Sequence, residues 1–75
     1  MANIDNKIAF GNRVRYIRRK NKMTQEDLAD RISMSSRNIS DIENGKVDCH
    51  FTTIVLLAEA FEMTIPELFL DDSEE

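Results

Sequence analysis

Tryptophan is absent, proline occurs once and glycine only twice in 75 residues. The turn chemistry that punctuates hairpins and sandwiches is therefore missing. A single cysteine, Cys49, excludes an intramolecular disulfide and predicts a reducing, cytoplasmic setting. No apolar run approaches the roughly 20 residues of a membrane helix, and the longest, Ile54 to Ala58, falls far short. Nothing ahead of Asp5 carries the basic and apolar regions of a secretory leader, so none is expected. Asp48-Cys49-His50 holds the only cysteine and the only histidine, and neighbours in sequence cannot supply a zinc site's converging ligands. A cysteine without a base and an orienter is no catalytic constellation either. No metal, no cofactor and no enzymatic activity are expected.

What is present is 41% hydrophobic and 32% charged residues, the balance of a small helical domain. The net charge of −4 is an average over an uneven chain. Residues 1–22 carry seven Lys/Arg against Asp5, residues 23–48 three basic against six acidic groups, and residues 49–75 seven carboxylates with no Lys or Arg. Salt screens charges beyond about 8 Å, so the basic start and acidic end act locally and the mean decides little.

Apolar periodicity and caps predict five helices. The first spans about Asn6 to Lys20, with Phe10, Val14 and Ile17 inward and Asp5 or Asn6 as cap. Thr24 opens the second, with Asp27 at the reciprocal capping position. The third begins after Ser35 and stops at Asn44-Gly45. The fourth runs from Phe51 to Phe61, with Ile54, Leu57, Ala58 and Phe61 inward. Thr64-Ile65-Pro66-Glu67 announces the fifth, about Ile65 to Leu70. Residues 1–70 form one domain, and 71–75 (Asp71-Asp72-Ser73-Glu74-Glu75) read as an acidic, disordered tail.

Thr24 to Lys46 then reads as two short helices separated by Ser33-Met34-Ser35. Leu28, Ala29 and Ile32 form one apolar stripe; Ile39 and Ile42 form the other. At about 100° per residue, the face of the third helix furthest from Ile39 and Ile42 carries Arg37, Ser40, Asp41 and Asn44, with Ser36 at its margin.

The segment resembles the helix-turn-helix of phage repressor and Cro-type (XRE-like) DNA-binding proteins, and the resemblance covers most of the chain. Phe10 to Arg18 is similar to that family's first helix, Met23 to Ala29 to its second, Ile39 to Lys46 to its third, and Ala58 to Phe69 to its last two. It implies an all-α, compact five-helix domain whose third helix enters the major groove of double-stranded DNA. It places base-reading residues at Ser36, Arg37 and Asp41, with Ser40 on the same face. Arg37 has the planar fork that matches guanine O6 and N7; Asp41, four residues on, can orient Arg37 or accept from a cytosine amine. Thr24 and Gln25, at the start of the second helix, and Asn44 and Lys46, past the third, are expected to hold phosphates and fix register. The resemblance pairs Arg18 with Glu43 in a structural ion pair. Arg15 and Arg19 point away from the first helix's core and read as solvated face. Where the family usually has Gly, this chain has Ser33, and a left-handed serine costs about 1–2 kcal/mol. Cys49-His50 stands where relatives cap the fourth helix, so a weaker cap is expected, with His50 at the helix start. Met23, Met34 and Met63 read as core or turn filler.

The expected function is a sequence-specific transcriptional regulator, a repressor or autoregulator, acting as a homodimer on a near-palindromic operator. One small reading helix makes few base contacts, and two copies about one DNA turn apart supply the rest. Ile65, Phe69 and Leu70 are expected at the dimer interface, because the fifth helix has more apolar side chains than one small core buries. The rival is an antitoxin-like subunit that masks a protein partner through the same acidic, apolar end, with DNA binding secondary.

Overall fold

The computed structural model describes residues 6–70, which hold five helices and no strand: α1 (Asn6–Lys20), α2 (Gln25–Arg31), α3 (Ser36–Glu43), α4 (Phe51–Ala60) and α5 (Ile65–Phe69). The acidic tail and Asp5, the alternative first cap, lie outside the described residues. Phe61 and Leu70, assigned to helices from their hydrophobicity, instead follow α4 and α5 as capping residues.

Three connections are built alike. α1, α2 and α4 each end at a left-handed residue, Lys22, Ser33 and Glu62, all at φ 59°. A methionine follows each, and its N–H reaches back to an earlier carbonyl: Met23 to Arg18 (3.1 Å), Met34 to Ala29 and Met63 to Ala58 (both 2.9 Å). This is the Schellman closure, and the three methionines pack as partly buried side chains on the core. Next comes a hydroxyl that caps the following helix. Thr24, Ser35 and Thr64 each accept from the backbone three residues on, and Asp27, Asn38 and Glu67 accept from the cap's own N–H. Met23, Met34 and Met63 are thus closing residues of one repeated joint, a more specific task than filling. Ser33 does adopt the left-handed conformation, so the turn carries that strain.

α3 ends with the same closure on Gly45 (φ 71°), but the chain then runs through Lys46–His50 before α4 starts. His50 occupies the cap position of α4 and makes no side-chain cap hydrogen bond.

The core is Val14, Ile17, Leu28, Ala29, Ile32, Ile39, Ile42, Leu57, Ala58, Phe61 and Leu68. α1 packs on α3 and α5, α2 on α3, and α4 on α5. The α1–α3 contact is close because Gly11 has no side chain. A Cβ there would lie 2.3 Å from the Ile42 carbonyl oxygen and 2.7 Å from that of Glu43, both backbone atoms that cannot step aside. α1 therefore docks directly over the C-terminal turn of α3.

Candidate nucleic-acid interface

α3 buries Ile39, Ile42 and Glu43 and leaves a polar outer face. Arg37 is its most projecting group, with 85% of its side chain exposed; its Nε lies 3.8 Å from Asp41 Oδ1. That separation in solvent is a loose pairing, worth little to stability. It leaves the guanidinium edge available. Ser36, Ser40 and Asp41 are half-buried along the same face, and Asn44 is exposed at its end. The face offers donors and acceptors without an apolar group.

Beneath it sits a polar hub. Arg18 Nε donates to Glu43 Oε2 at 2.6 Å, and Arg18 Nη2 donates to Oε1 at 3.1 Å, a fork-to-fork pair inside the protein. Arg18 Nη1 donates to the Met23 carbonyl at 2.7 Å. Gln25 Nε2 adds a bond to Glu43 Oε1 at 3.1 Å, and Arg15 Nε approaches the same oxygen at 3.4 Å. Burial alone would raise the Glu43 pKa, but the hydrogen bonds from Arg18, Gln25 and Arg15 and the Arg18 charge outweigh it and hold the carboxyl below the usual glutamate range. One carboxylate thus ties α1, α2 and α3 together.

The edges of the face are ordered by the same network. Gln25, at the first turn of α2, is half-buried and held by Glu43. Thr24 is exposed, its oxygen accepting from Asp27 N–H at 3.0 Å. That box also lowers the Asp27 pKa, chiefly through the bond from the Thr24 backbone. Asn44 Nδ2 donates to Ser40 Oγ at 3.3 Å, and Asn44 Oδ1 accepts from Arg15 Nη2 at 2.9 Å. Lys46 is exposed just beyond.

One arginine departs from the solvated-face reading, and a second meets a partner that the sequence did not suggest. Arg15, sequence-assigned to solvent, turns onto the end of α3. Arg13 crosses to α5, where its Nε donates to Leu68 O at 2.8 Å and its Nη2 to Glu67 O at 3.0 Å, satisfying carbonyls at that helix's C-terminus. Helical periodicity placed Arg15 away from α1's apolar stripe, and only the docking of α1 decides what lies beside either residue. Arg19 is exposed.

The remaining expected residues lie elsewhere. Ile65 is half-buried against the core, while Phe69 and Leu70 are 53% and 64% exposed. Phe69 stacks one face on Phe10, ring centroids 5.2 Å apart. Phe51, at 68% exposure, and Val47 add apolar surface that the sequence reading did not single out. Val47, Ile54, Phe69 and Phe10 line a common cavity of about 180 Å³ beside the connection that leaves α3. Cys49 is half-buried; burial first and the Asp48 charge second raise its pKa, which disfavours the nucleophilic thiolate. No cluster of three or more His, Cys, Asp or Glu able to hold a metal occurs among the described residues. None of their helices is long and apolar enough to cross a membrane.

Comparison with known proteins gives a consistent result. A family described as helix-turn-helix matches residues 14–68. The chain is 37% identical over 61 residues to a competence pilus inhibition repressor of Acinetobacter baylyi, covering 81% of this chain and 56% of that protein. It therefore spans little more than half the length of that relative. An uncharacterised HTH-type transcriptional regulator of Methanocaldococcus jannaschii is 33% identical over 64 residues, covering 85% of this chain and 97% of the relative. Among solved structures, the restriction–modification controller protein C.AhdI of Aeromonas hydrophila superposes with a TM-score of 0.83 at 27% identity, over 88% of this chain and all (100%) of that one.

Proposed function

This chain belongs to the helix-turn-helix family of transcriptional regulators, and from that premise we propose how it acts: as a homodimeric repressor or autoregulator reading a near-palindromic operator. The observation that carries the proposal is the α3 face, polar throughout and held from behind by the Glu43 hub. A helix of this kind fits the major groove, where each base pair presents a distinct donor–acceptor pattern. Arg37 is the guanine reader, and Asp41 orients it or accepts from a cytosine amine. Ser36 and Ser40 make shorter contacts. Thr24, Gln25, Asn44 and Lys46 flank the helix and set its depth on the phosphates.

One copy offers few base contacts, so two copies share the operator, their reading helices about 34 Å apart. The exposed apolar surface at Phe69 and Leu70, with Ile65 behind it, supports an interface at the C-terminal end. Its groove with Val47 starts where α3 ends, so a two-fold axis there sits beside the DNA-facing edge and leaves the reading face free.

Selection of bound duplexes from a random pool, followed by affinity measurements at several salt concentrations, tests the proposal. A near-palindrome with half-sites one turn apart is expected. A pool that yields no sequence preference, while pull-down recovers a stoichiometric protein partner, would favour the masking role instead. The exposed Phe51, Phe69 and Leu70 are the observation behind that second reading.

A further inference from the structure

Arg15 and Arg18 stand one turn apart on α1 and both reach Glu43, yet they are used differently. Arg18 is buried, and its Nε, Nη1 and Nη2 all donate at 3.1 Å or less, to Glu43 and Met23. Its charge is matched by the carboxylate it grips. Arg15 keeps 32% of its side chain exposed and approaches Glu43 only at long range, 3.4 Å to Oε1 and 3.5 Å to the backbone oxygen. Its one short bond is to a neutral acceptor, Asn44 Oδ1 at 2.9 Å. Nη1 has no hydrogen bond among the described residues. Two guanidinium groups share the one Glu43 carboxylate, so the cluster keeps a net positive charge, and Arg15 is its more exposed member, pinned at the end of α3.

The pinning is directional. Because Asn44 Oδ1 accepts from Arg15, its amide must turn Nδ2 towards Ser40, and the chain Arg15–Asn44–Ser40 runs onto the outer face of α3. Arg15 also lines an open groove of about 460 Å³, together with Asn12, Tyr16, Arg19 and Lys20. There is room beside it for an anion, and the other cations bordering the groove favour one. We propose that Arg15 is a DNA-phosphate ligand of this interface, held at the C-terminal end of α3 by Glu43 and Asn44. The proposal rests on the reading that the α3 face binds duplex DNA, and it extends the phosphate contacts from α2 and α3 to α1. A cation that served only the last carbonyl of α3 would need no open donor edge.

The test is the salt dependence of binding to a selected operator and to a scrambled duplex, for the parent protein, Arg15→Gln and Arg15→Lys, with a thermal melt of each. Arg15→Gln should weaken both duplexes by a similar factor and lower the slope of log affinity against log salt by about 0.9 for each bound copy. Arg15→Lys should keep the slope, since it keeps the charge. Normal folding with an unchanged slope in Arg15→Gln overturns the proposal. Should Arg15→Gln fail to fold, the Arg15 Nε–H resonance of the parent decides: it shifts on titration with duplex if the proposal holds, and stays put if it does not. A parent that binds no duplex at all defeats the functional reading itself, an outcome distinct from binding with an unaltered slope.

Discussion

Between α2 and α3 stand Ser33-Met34-Ser35; between α4 and α5 stand Glu62-Met63-Thr64. Each triplet is a left-handed residue, a methionine that closes the helix behind it and a hydroxyl that caps the helix ahead. The two helix pairs are joined in the same way, and yet they turn different chemistry outward. α3 presents Arg37, Ser40 and Asp41, whereas the end of α5 presents Phe69 and Leu70. Their inner sides differ too. Behind α3 lies the Arg18–Glu43 pair, and between α4 and α5 lie Leu57 and Leu68, both fully buried. The joint fixes where a helix sits, and the residues on its faces decide what it meets. A buried ion pair is a poor way to gain stability, because desolvation offsets much of the attraction. Its value under α3 is positional: it holds Gln25 and Arg15 at the edges of the polar outer face, a task for which an apolar core has no counterpart.

Removing that hub should give the largest effect. Arg18→Ala strands a buried carboxylate and should cost about 3–5 kcal/mol in a thermal or denaturant melt. The double replacement Arg18→Met with Glu43→Leu should recover most of that stability while DNA affinity stays low, because Gln25 and Arg15 lose their anchor. Recovery of both together would show that the hub serves stability alone. Next in size is Gly11→Ala. Its Cβ meets backbone oxygens of α3, so α1 must back away, at about 1–3 kcal/mol. A melt unchanged from the parent would mean that α1 and α3 shift apart freely.

On the apolar side, Phe69→Glu should leave the helical content intact and weaken binding to a full operator by about tenfold, or 1.4 kcal/mol, with loss of cooperativity. Operator binding at parental strength would remove α5 from the interface. The smallest effect is expected at the joint that both pairs share. Ser33→Gly should raise stability by roughly 1 kcal/mol, since glycine relieves the left-handed strain. Destabilisation there would indicate that the Ser33 side chain makes a contribution beyond its backbone.

Much of this comparison was legible in the sequence. Thr24 with Asp27 and Thr64 with Glu67 announce their helices because a cap is a local, three-residue event. The outer face of α3 followed from helical periodicity once Ile39 and Ile42 were taken as inward. Ser33 was marked by the glycine it replaces. The repeated methionine joint was visible as Lys-Met-Thr, Ser-Met-Ser and Glu-Met-Thr, but only the shared φ of 59° shows the three as one device. Arg13 and Arg15 could not be placed in this way. Their partners lie 28 to 55 residues away, and which carbonyl or carboxylate they meet depends on how closely Gly11 lets α1 approach. Exposure of Phe51 is likewise a tertiary fact: it opens α4 after a loop with no side-chain cap, where hydrophobicity alone suggests burial.

The central claim is that the polar face of α3 reads bases. It is tested most directly by comparing the full base-preference profile of the parent with that of Arg37→Ala, on duplexes selected from the same random pool. Arg37→Ala should cost about 1–3 kcal/mol on the best site and relax preference at one position in each half-site, leaving the others unchanged. Equal weakening on every duplex with the profile intact would contradict it, and would make Arg37 a phosphate contact on a face that does not read sequence there.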